Sequence, residues 1–171
     1  EYFGVPFIDP IGNRRAKRGA MLMKLSIERS ALLKAVSQAQ SVVERRNTIP
    51  ILANVLIEAE REYVLFRATD LDIEVLDKAI AQIDQTGSTT VSATTLHEIV
   101  RKLPEGSLVT LNNNSTKGRL TVQAGRSIFS LATLPKEDFP VMANSEYAAN
   151  FSAPATLLRR LFDKSKFAIS T

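Results

Sequence analysis

The chain has 171 residues, a net charge of +4, 44% hydrophobic residues, one histidine and no cysteine. This length and apolar content are sufficient for one domain with a hydrophobic core and part of another. The composition excludes disulfides, thiol nucleophiles and Cys-rich or His-rich metal sites, and we predict neither a metal nor a cofactor. No apolar run approaches the roughly 18 residues of a membrane-spanning helix, and the excess of basic residues allows a polyanionic partner.

Residues 1–22 differ in composition from the rest of the chain. Four basic residues cluster between Arg14 and Arg18, and prolines and glycines interrupt the apolar positions. The segment has no long apolar core, so it is not a secretory signal. We expect a disordered extension that comes from an upstream translation start or from an artificial addition to the chain.

A step from a short strand to an amphipathic helix occurs three times, at a spacing of about sixty residues. The three predicted steps are 24–28 into 30–43, 89–93 into 94–103, and 150–152 into 154–166. In the second helix, Thr95 and Glu98 form a capping-box pattern. In the third, Pro154 suits the first helical turn.

Further strands follow each of the first two helices. Residues 51–59 and 64–69 are typical of a hairpin, and 73–83 alternate as one long strand would. The second set of predicted strands is 108–112, 120–124 and 126–131. The pattern is therefore βαβββ twice, followed by the start of a third copy. It predicts an α+β domain with its helices on one side and antiparallel sheets on the other.

Residues 134–147 contain two prolines and few apolar residues, and we interpret them as a linker between domains. We expect a first domain at 23–143 and the beginning of a second domain at 147–171. The roughly 25 residues after the linker are too few to close another core of this kind. On this interpretation the chain ends partway through its third repeat.

The segment GRSIFSLATLPKEDFP, residues 125–140, predicts a strand that a proline terminates. Within it, Phe129 and Leu131 share one face, and Ile128 lies on the other. A strand with apolar side chains on both faces needs cover on both. If it is the outermost strand of its sheet, its unpaired backbone favours the addition of a strand from another chain.

Basic side chains predominate on the outer faces of the predicted helices. Lys34 belongs to the first helix, Arg101 and Lys102 to the second, and Arg159 and Arg160 to the third. If three similar units pack side by side, these faces combine into one positive surface. Such a surface binds phosphates without reading bases. No aromatic residues interleave with the basic ones, which argues against base stacking.

An enzymatic alternative depends on Asp70, Asp72 and Glu74, which stand at alternate positions. On a strand they would share one face and could hold magnesium for a nuclease reaction. The competing interpretation is a turn aspartate followed by a solvent-facing strand edge. The sequence contains no glycine-rich phosphate loop and no serine elbow. His97 is interpreted as a surface residue, and we predict no catalytic residue.

Several motifs occur in the order in which one protein family has them. They are MKLSIE at 23–28, R-x-T-I-P-I-L-A-N at 46–54, ATDLDIE at 68–74, LPEG at 103–106 and the segment at 125–140. Together they resemble the bacterial DNA polymerase III beta subunit, the replicative sliding clamp, from residue 23 onwards. The resemblance implies the DNA-clamp fold, in which two three-domain subunits form a ring. Helices line the hole of that ring, and continuous sheets form its outside.

The resemblance also implies a function and roles for individual residues. The function is that of a cytoplasmic, non-catalytic processivity factor that encircles duplex DNA and binds DNA polymerase III and the clamp loader. The implied DNA-binding residues are Lys34, Arg46, Arg101, Lys102, Arg159 and Arg160. The implied contact with a second subunit uses Arg119, Arg126, Ile128, Phe129 and Leu131.

Two positions depart from the family pattern. The family often has a basic residue where Ile128 stands, and a basic pair where this chain has Thr94 and Thr95. The first departure concerns the ionic part of the subunit contact, and the second concerns one DNA contact. A standalone, non-specific DNA-binding domain remains the alternative to a ring.

Overall fold

The structure is a computed structural model that describes residues 22–43, 48–114, 118–140 and 152–168. The chain divides into two compact units, Glu1–Val141 and Met142–Thr171. In the part of the chain that the structure describes, every helix is too short or too polar to cross a membrane.

The first unit consists of two repeats of the predicted βαβββ type, the first of which has its last strand divided into two, and this confirms the predicted α+β fold. The first repeat comprises β1 (Met23–Glu28), α1 (Arg29–Val42), β2 (Asn54–Ala59), β3 (Tyr63–Thr69), β4 (Glu74–Ile80) and β5 (Gln82–Gln85). The second repeat comprises β6 (Gly87–Ser92), α2 (Ala93–Lys102), β7 (Leu108–Asn114), β8 (Arg119–Ala124) and β9 (Ser127–Leu134). The strands pair antiparallel in the order β4-β3-β2-β6-β9-β8-β7-β1-β5. The second unit contributes α3 (Ala155–Ser165).

Side-chain caps fix where both helices of the first unit begin. The Oε2 atom of Glu28 accepts hydrogen bonds from two backbone N–H groups in the first turn of α1, at 3.0 and 3.3 Å. The hydroxyl of Ser92 accepts the N–H of Thr95 at 3.3 Å and caps α2. The capping box predicted from Thr95 and Glu98 is therefore wrong, because Ser92 occupies the N-cap position.

Two segments change their partner strand and thereby join the halves of the sheet. The prediction of one strand over 73–83 is wrong, because the strand is interrupted at Ala81. β4 pairs with β3, whereas β5 pairs with β1 at the other end of the strand order. β9 behaves in the same way, since residues 127–132 pair with β8, while Thr133 and Leu134 pair with β6.

The hydrophobic core lies between the sheet and the two helices. It receives alternate residues of the strands and the buried sides of α1 and α2. Among its largest fully buried side chains are Met23, Leu25, Ile27, Leu32, Ile57, Phe66, Leu96, Leu111 and Leu120. Because this core occupies the inner sides of the helices, their polar residues face solvent.

A second, smaller apolar cluster lies on the other face of the sheet. It consists of Ile51, Leu52, Leu56 and Phe139. Leu56 belongs to β2, whose adjacent residues enter the main core, so its side chain points to the opposite face. Two motifs of the sequence, TIPILAN and TLPKEDFP, therefore meet in this outer cluster.

Thr90, which is fully buried, holds the end of β9 beside the outer cluster. Its hydroxyl donates to the carbonyl oxygen of Leu134 at 2.8 Å and accepts the N–H of Leu134 at 3.3 Å. It also accepts a hydrogen bond from Nδ2 of Asn54 at 3.1 Å. Pro135 then ends the strand, because proline cannot donate to a strand ladder.

Replacing Thr90 by valine should lower the free energy of unfolding by about 1–3 kcal/mol, because Leu134 and Asn54 would lose buried hydrogen bonds. Chemical denaturation measures this loss, and amide exchange should show faster opening at the end of β9. Thr89→Val is the matched control, since Thr89 is 3% exposed and no hydrogen bond joins its side chain to β9. An equal loss in both variants would contradict this role of Thr90.

Candidate nucleic-acid interface and open strand edge

The start of α1 meets the end of α2. Arg29, the first residue of α1, donates from Nε to the carbonyl oxygen of Val100 at 3.2 Å and from Nη2 to that of Arg101 at 2.8 Å. Carbonyl groups in the last turn of a helix have few partners within the helix, and a positive charge is favourable there. The Val100 carbonyl also accepts the N–H of Leu103 at 3.2 Å. Sequence reasoning missed this role, because the two helix ends come together only in the fold.

Three of the predicted DNA-binding residues are exposed on the helices of the first unit. Lys34 lies on the solvent side of α1, and Arg101 and Lys102 lie in the last turn of α2. No ion pair to any of the three occurs within the described residues. Their positive charges are therefore available to a polyanion on the helical side of the sheet.

The other three predicted DNA-binding residues lie outside the described part of the first unit. Arg46 lies outside the described residues. Arg159 and Arg160 are exposed on α3, in the second unit, where Arg159 Nε lies 3.9 Å from Asp163 Oδ2. An exposed pair of this kind contributes only about 0.2–1 kcal/mol and leaves the arginine accessible. For all six residues, a contact with DNA stays a prediction.

Two of the three carboxylates that suggested a magnesium site have other partners. Asp70 Oδ1 accepts the N–H of Asp72 at 3.0 Å and the N–H of Ile73 at 2.7 Å, so this stretch forms a turn. Glu74 Oε1 lies 2.6 Å from Arg67 Nη1. Across residues 22–43, 48–114, 118–140 and 152–168, no group of three or more acidic or histidine side chains is arranged to hold a metal ion. The interpretation of Asp70 as a turn residue is confirmed. The alternative, in which the three carboxylates share one face of a strand, is wrong.

The same turn holds a leucine in a backbone conformation that favours glycine. Leu71 has a φ of 83°, and its N–H donates to Thr69 Oγ1 at 3.0 Å.

The hydrogen bonds that Ile73 and Asp72 donate to Asp70 favour the charged form of the Asp70 carboxyl group. They hold the pKa of the Asp70 carboxyl below its ordinary value of 3.8.

The amide proton signal of Ile73 should shift with pH with a midpoint below 3.8, because protonation of Asp70 weakens the hydrogen bond between them. The charged carboxylate stabilises the turn above its ordinary pKa, and this stabilisation is lost as the pH falls through the lowered pKa. NMR titration measures the midpoint. Asp70→Asn should abolish the step, and a midpoint at or above 3.8 would refute the assignment.

β9 has one open side along residues 127–132. These residues pair with β8, and no other described strand pairs with them on the opposite side. Only Thr133 and Leu134 reach β6. The prediction of an outermost strand over 126–131 is therefore correct for 127–131, whereas Arg126 lies in the turn before β9. It is wrong for the end of the strand, which continues past Leu131 because β6 pairs with it there.

The side chains of β9 lie on the faces that the alternation predicts. Phe129 and Leu131 pair with Val122 and Leu120 of β8, which are buried in the core. Leu131 is half-buried, while Phe129 remains 37% exposed. Ile128 lies on the opposite face and is 64% exposed. Apolar surface is thus accessible on both faces beside the open side of the strand.

Two arginines flank the open side of β9. Arg126 is exposed in the turn before the strand, where Gly125 has the positive φ of 56° that a tight hairpin turn needs. Arg119, on β8, donates from Nε to Ser130 Oγ at 2.7 Å and from Nη2 to the Ser130 carbonyl oxygen at 2.8 Å. All five residues predicted for a subunit contact therefore lie on the β8–β9 hairpin, and their role in that contact stays a prediction.

Comparisons with known proteins agree with this architecture. The family model of the DNA polymerase III beta subunit, N-terminal domain, matches residues 23–143. The beta sliding clamp of Caulobacter vibrioides is 54% identical over 149 residues, which cover 87% of this chain and 40% of the relative. A beta sliding clamp sequence from Vibrio harveyi is 38% identical over 146 residues, which cover 85% of this chain and 99% of that sequence. A crystal structure of the C. crescentus beta sliding clamp gives a TM-score of 0.85 at 54% identity, covering 90% of this chain and 41% of that one.

Two βαβββ repeats with both helices on one side of antiparallel sheets define a domain of the DNA-clamp type. The chain belongs to the DNA polymerase III beta subunit family. It spans about 40% of the length of the Caulobacter vibrioides relative. The family resemblance that the motifs indicate is thus confirmed.

Proposed function

We propose that this chain is part of a sliding clamp, a ring-shaped homodimer that encircles duplex DNA and keeps the replicative DNA polymerase on its template. The observation that carries the proposal is a pair of helices on one side of the sheet whose exposed basic residues have no acidic partner among the described residues. The family relationship supports the same function, since both curated relatives are beta sliding clamps.

The proposed DNA contact is electrostatic and independent of sequence. Lysines and arginines that neutralise phosphates release counterions, and this contribution carries no information about the bases. A ring that must pass over any sequence requires a contact of this kind. The residues that we assign to it are Lys34, Arg46, Arg101, Lys102, Arg159 and Arg160.

The open side of β9 is the proposed contact with the second subunit. An unpaired strand edge can accept a further strand through its backbone N–H and C=O groups. Phe129 and Ile128 add exposed apolar surface at this edge. Arg119 and Arg126 favour a partner segment that carries negative charge. This edge favours the ring over a standalone DNA-binding domain, which would have no use for it.

We assign residues 23–143 to the first clamp domain, 147–171 to the beginning of a second, and 1–22 to an extension before the clamp fold. The division of the chain after Val141 supports this arrangement. The exposed apolar side chains of α3, which include Leu161 and Phe162, support it as well. In a clamp domain, a helix of this pattern packs its apolar side against the sheet.

The other proposed partners are DNA polymerase III and the clamp loader, which would act on the complete subunit. The proposal needs no catalytic residue and no cofactor. A magnesium-dependent nuclease is not favoured, because Asp70 holds a turn and Glu74 pairs with Arg67. A cytoplasmic location, where a bacterial chromosome lies, follows from the proposed function.

Lys34→Ala and Arg101→Ala should each weaken binding of the complete subunit to unrelated duplexes by the same factor. Each should also lower the slope of log K against log salt by about 1, because one phosphate contact is lost. Fluorescence anisotropy at several salt concentrations measures both. Arg61→Ala is the control, since Arg61 is an exposed basic residue that belongs to the turn between β2 and β3 and to neither helix. A changed sequence preference, or an equal effect of Arg61→Ala, would rule out this DNA contact.

Phe129→Ala should shift the complete subunit from dimer towards monomer by about 2–4 kcal/mol, because an aromatic anchor at the contact would be lost. Sedimentation measures the dimer constant, and circular dichroism checks that each monomer stays folded. Leu108→Ala is the control, since Leu108 is 58% exposed on β7, which already pairs with β1 and β8. An unchanged dimer constant for Phe129→Ala would exclude β9 as the contact, and a globally unfolded variant would make Phe129 a core residue.

A further inference from the structure

The register of β8 and β9 determines which backbone groups face the open side. The N–H of Thr133 donates to the carbonyl oxygen of Gly118 at 3.1 Å, so these two residues form a hydrogen-bonded pair. Hydrogen-bonded and non-hydrogen-bonded pairs alternate along an antiparallel ladder. Ile128, Ser130 and Ala132 therefore occupy non-hydrogen-bonded pairs with β8. Their N–H and C=O groups point away from β8, towards the open side.

The carbonyl group of Ser130 is the central acceptor on this open side, and Arg119 already occupies it. The Arg119 side chain extends from β8 across the exposed face of β9, so that Nη2 lies 2.8 Å from the Ser130 carbonyl oxygen. Its Nε atom is fixed by the Ser130 hydroxyl at 2.7 Å. Because a carbonyl oxygen has two lone pairs, a strand that adds to β9 either displaces the guanidinium or shares this acceptor with it, which weakens the bond to each donor. Hydrogen bonds from a charged donor are stronger than neutral ones, so the displacement has a cost.

A second copy of β9 is a strand that could add here in a symmetric way. In an antiparallel register centred on Ser130, Ser130 faces its equivalent and Ile128 faces Ala132 of the other copy. This register centres a two-fold symmetric contact on Ser130 of both copies, and it ends at Ala132 because β6 already pairs with Thr133 and Leu134. Unprotected edges commonly pair in this way and lead to aggregation.

We propose that Arg119 disfavours pairing between the open side of β9 and a second copy of β9. It occupies the Ser130 carbonyl that the symmetric register needs at its centre. Residues 118–134 contain two arginines and no acidic residue, so a second copy offers the displaced guanidinium no carboxylate. Arg119 is thus a specificity-determining residue of the edge, and this role does not depend on the ring proposed above.

The experiment compares Arg119→Ala with Arg126→Ala in the 171-residue chain. Both variants remove one positive charge from the hairpin, but no hydrogen bond or ion pair holds Arg126 in the described residues, so only Arg119→Ala uncovers Ser130. Amide hydrogen exchange at increasing protein concentration reports pairing at the edge, because a bound strand protects outward-facing N–H groups such as that of Ser130. Phe129 and Leu131, which alternate with the outward-facing residues, already donate their N–H groups to β8 and serve as internal references.

Arg119→Ala should lower the concentration at which Ser130 becomes protected about tenfold, because the symmetric contact displaces one guanidinium in each copy and the two displacements together cost roughly 1.4 kcal/mol. Arg126→Ala should change it by less than about twofold, as an exposed charge does. Arg119→Lys keeps the charge without the planar fork and should behave like Arg119→Ala.

Three results would overturn the proposal. The first is equal behaviour of the Arg119→Ala and Arg126→Ala variants, which would make charge repulsion the cause. The second is an Arg119→Lys variant in which Ser130 becomes protected at the same concentration as in the unsubstituted chain. The third is the absence of concentration-dependent protection in Arg119→Ala up to its solubility limit. Self-association through other surfaces would leave the exchange of Ser130 unaffected and would count as this third result.

Discussion

Strand pairing that is shared between the two halves of the sheet is the constraint on which the rest of the first unit depends. β9 pairs with β8 along most of its length and with β6 at its end, and the β4–β5 segment links β3 to β1. Because side chains alternate between faces, a shift of one residue in either segment would turn core side chains towards solvent. Thr90 fixes one junction through both backbone groups of Leu134. At the other junction, between β1 and β5, an ion pair joins Lys24 Nζ to Asp84 Oδ2 at 2.9 Å.

The way the helices meet on this sheet decides which basic side chains bind the protein's own backbone and which remain accessible to a ligand. Arg29 and Arg101 lie close together where the helices meet, yet they serve different purposes. The Arg29 guanidinium satisfies carbonyl groups at the end of α2, whereas the Arg101 side chain is exposed. A count of basic residues per helix therefore overestimates the charge that a polyanion can reach. The distinction depends on which backbone groups lack a partner when the helix ends meet.

Periodicity was sufficient to predict the repeats, because amphipathic helices and half-buried strands leave distinct patterns in the sequence. It could not show where a strand changes partner. The alternation of residues 73–83 continues through Ala81, since β4 and β5 are both strands and only their neighbours differ. Likewise, the spacing of Asp70, Asp72 and Glu74 fits a strand face. The structure forms a turn instead, because Asp70 accepts backbone hydrogen bonds locally.

Long-range contacts explain the remaining differences between the predicted and observed site. The five residues predicted for a subunit contact lie on one hairpin because they are close in sequence. The bond between Arg119 and Ser130 follows only from the register of β8 and β9, which the alternation within each strand does not predict. The predicted DNA-binding residues depend on the relation between separate helices. Local sequence patterns identify the basic face of each helix, whereas the alignment of one helix face with that of the next helix is a property of the whole fold.

The outer cluster has a mechanical consequence for the first unit. Phe139 is 5% exposed between Leu56 of β2 and the 3₁₀ turn that contains Ile51 and Leu52. Tension on the chain beyond Pro140 therefore acts first on Phe139 and is distributed to β2 and to the end of β9. The helices pack on the opposite face of β2, against Val55 and Ile57, so a load on Phe139 reaches them only through the sheet.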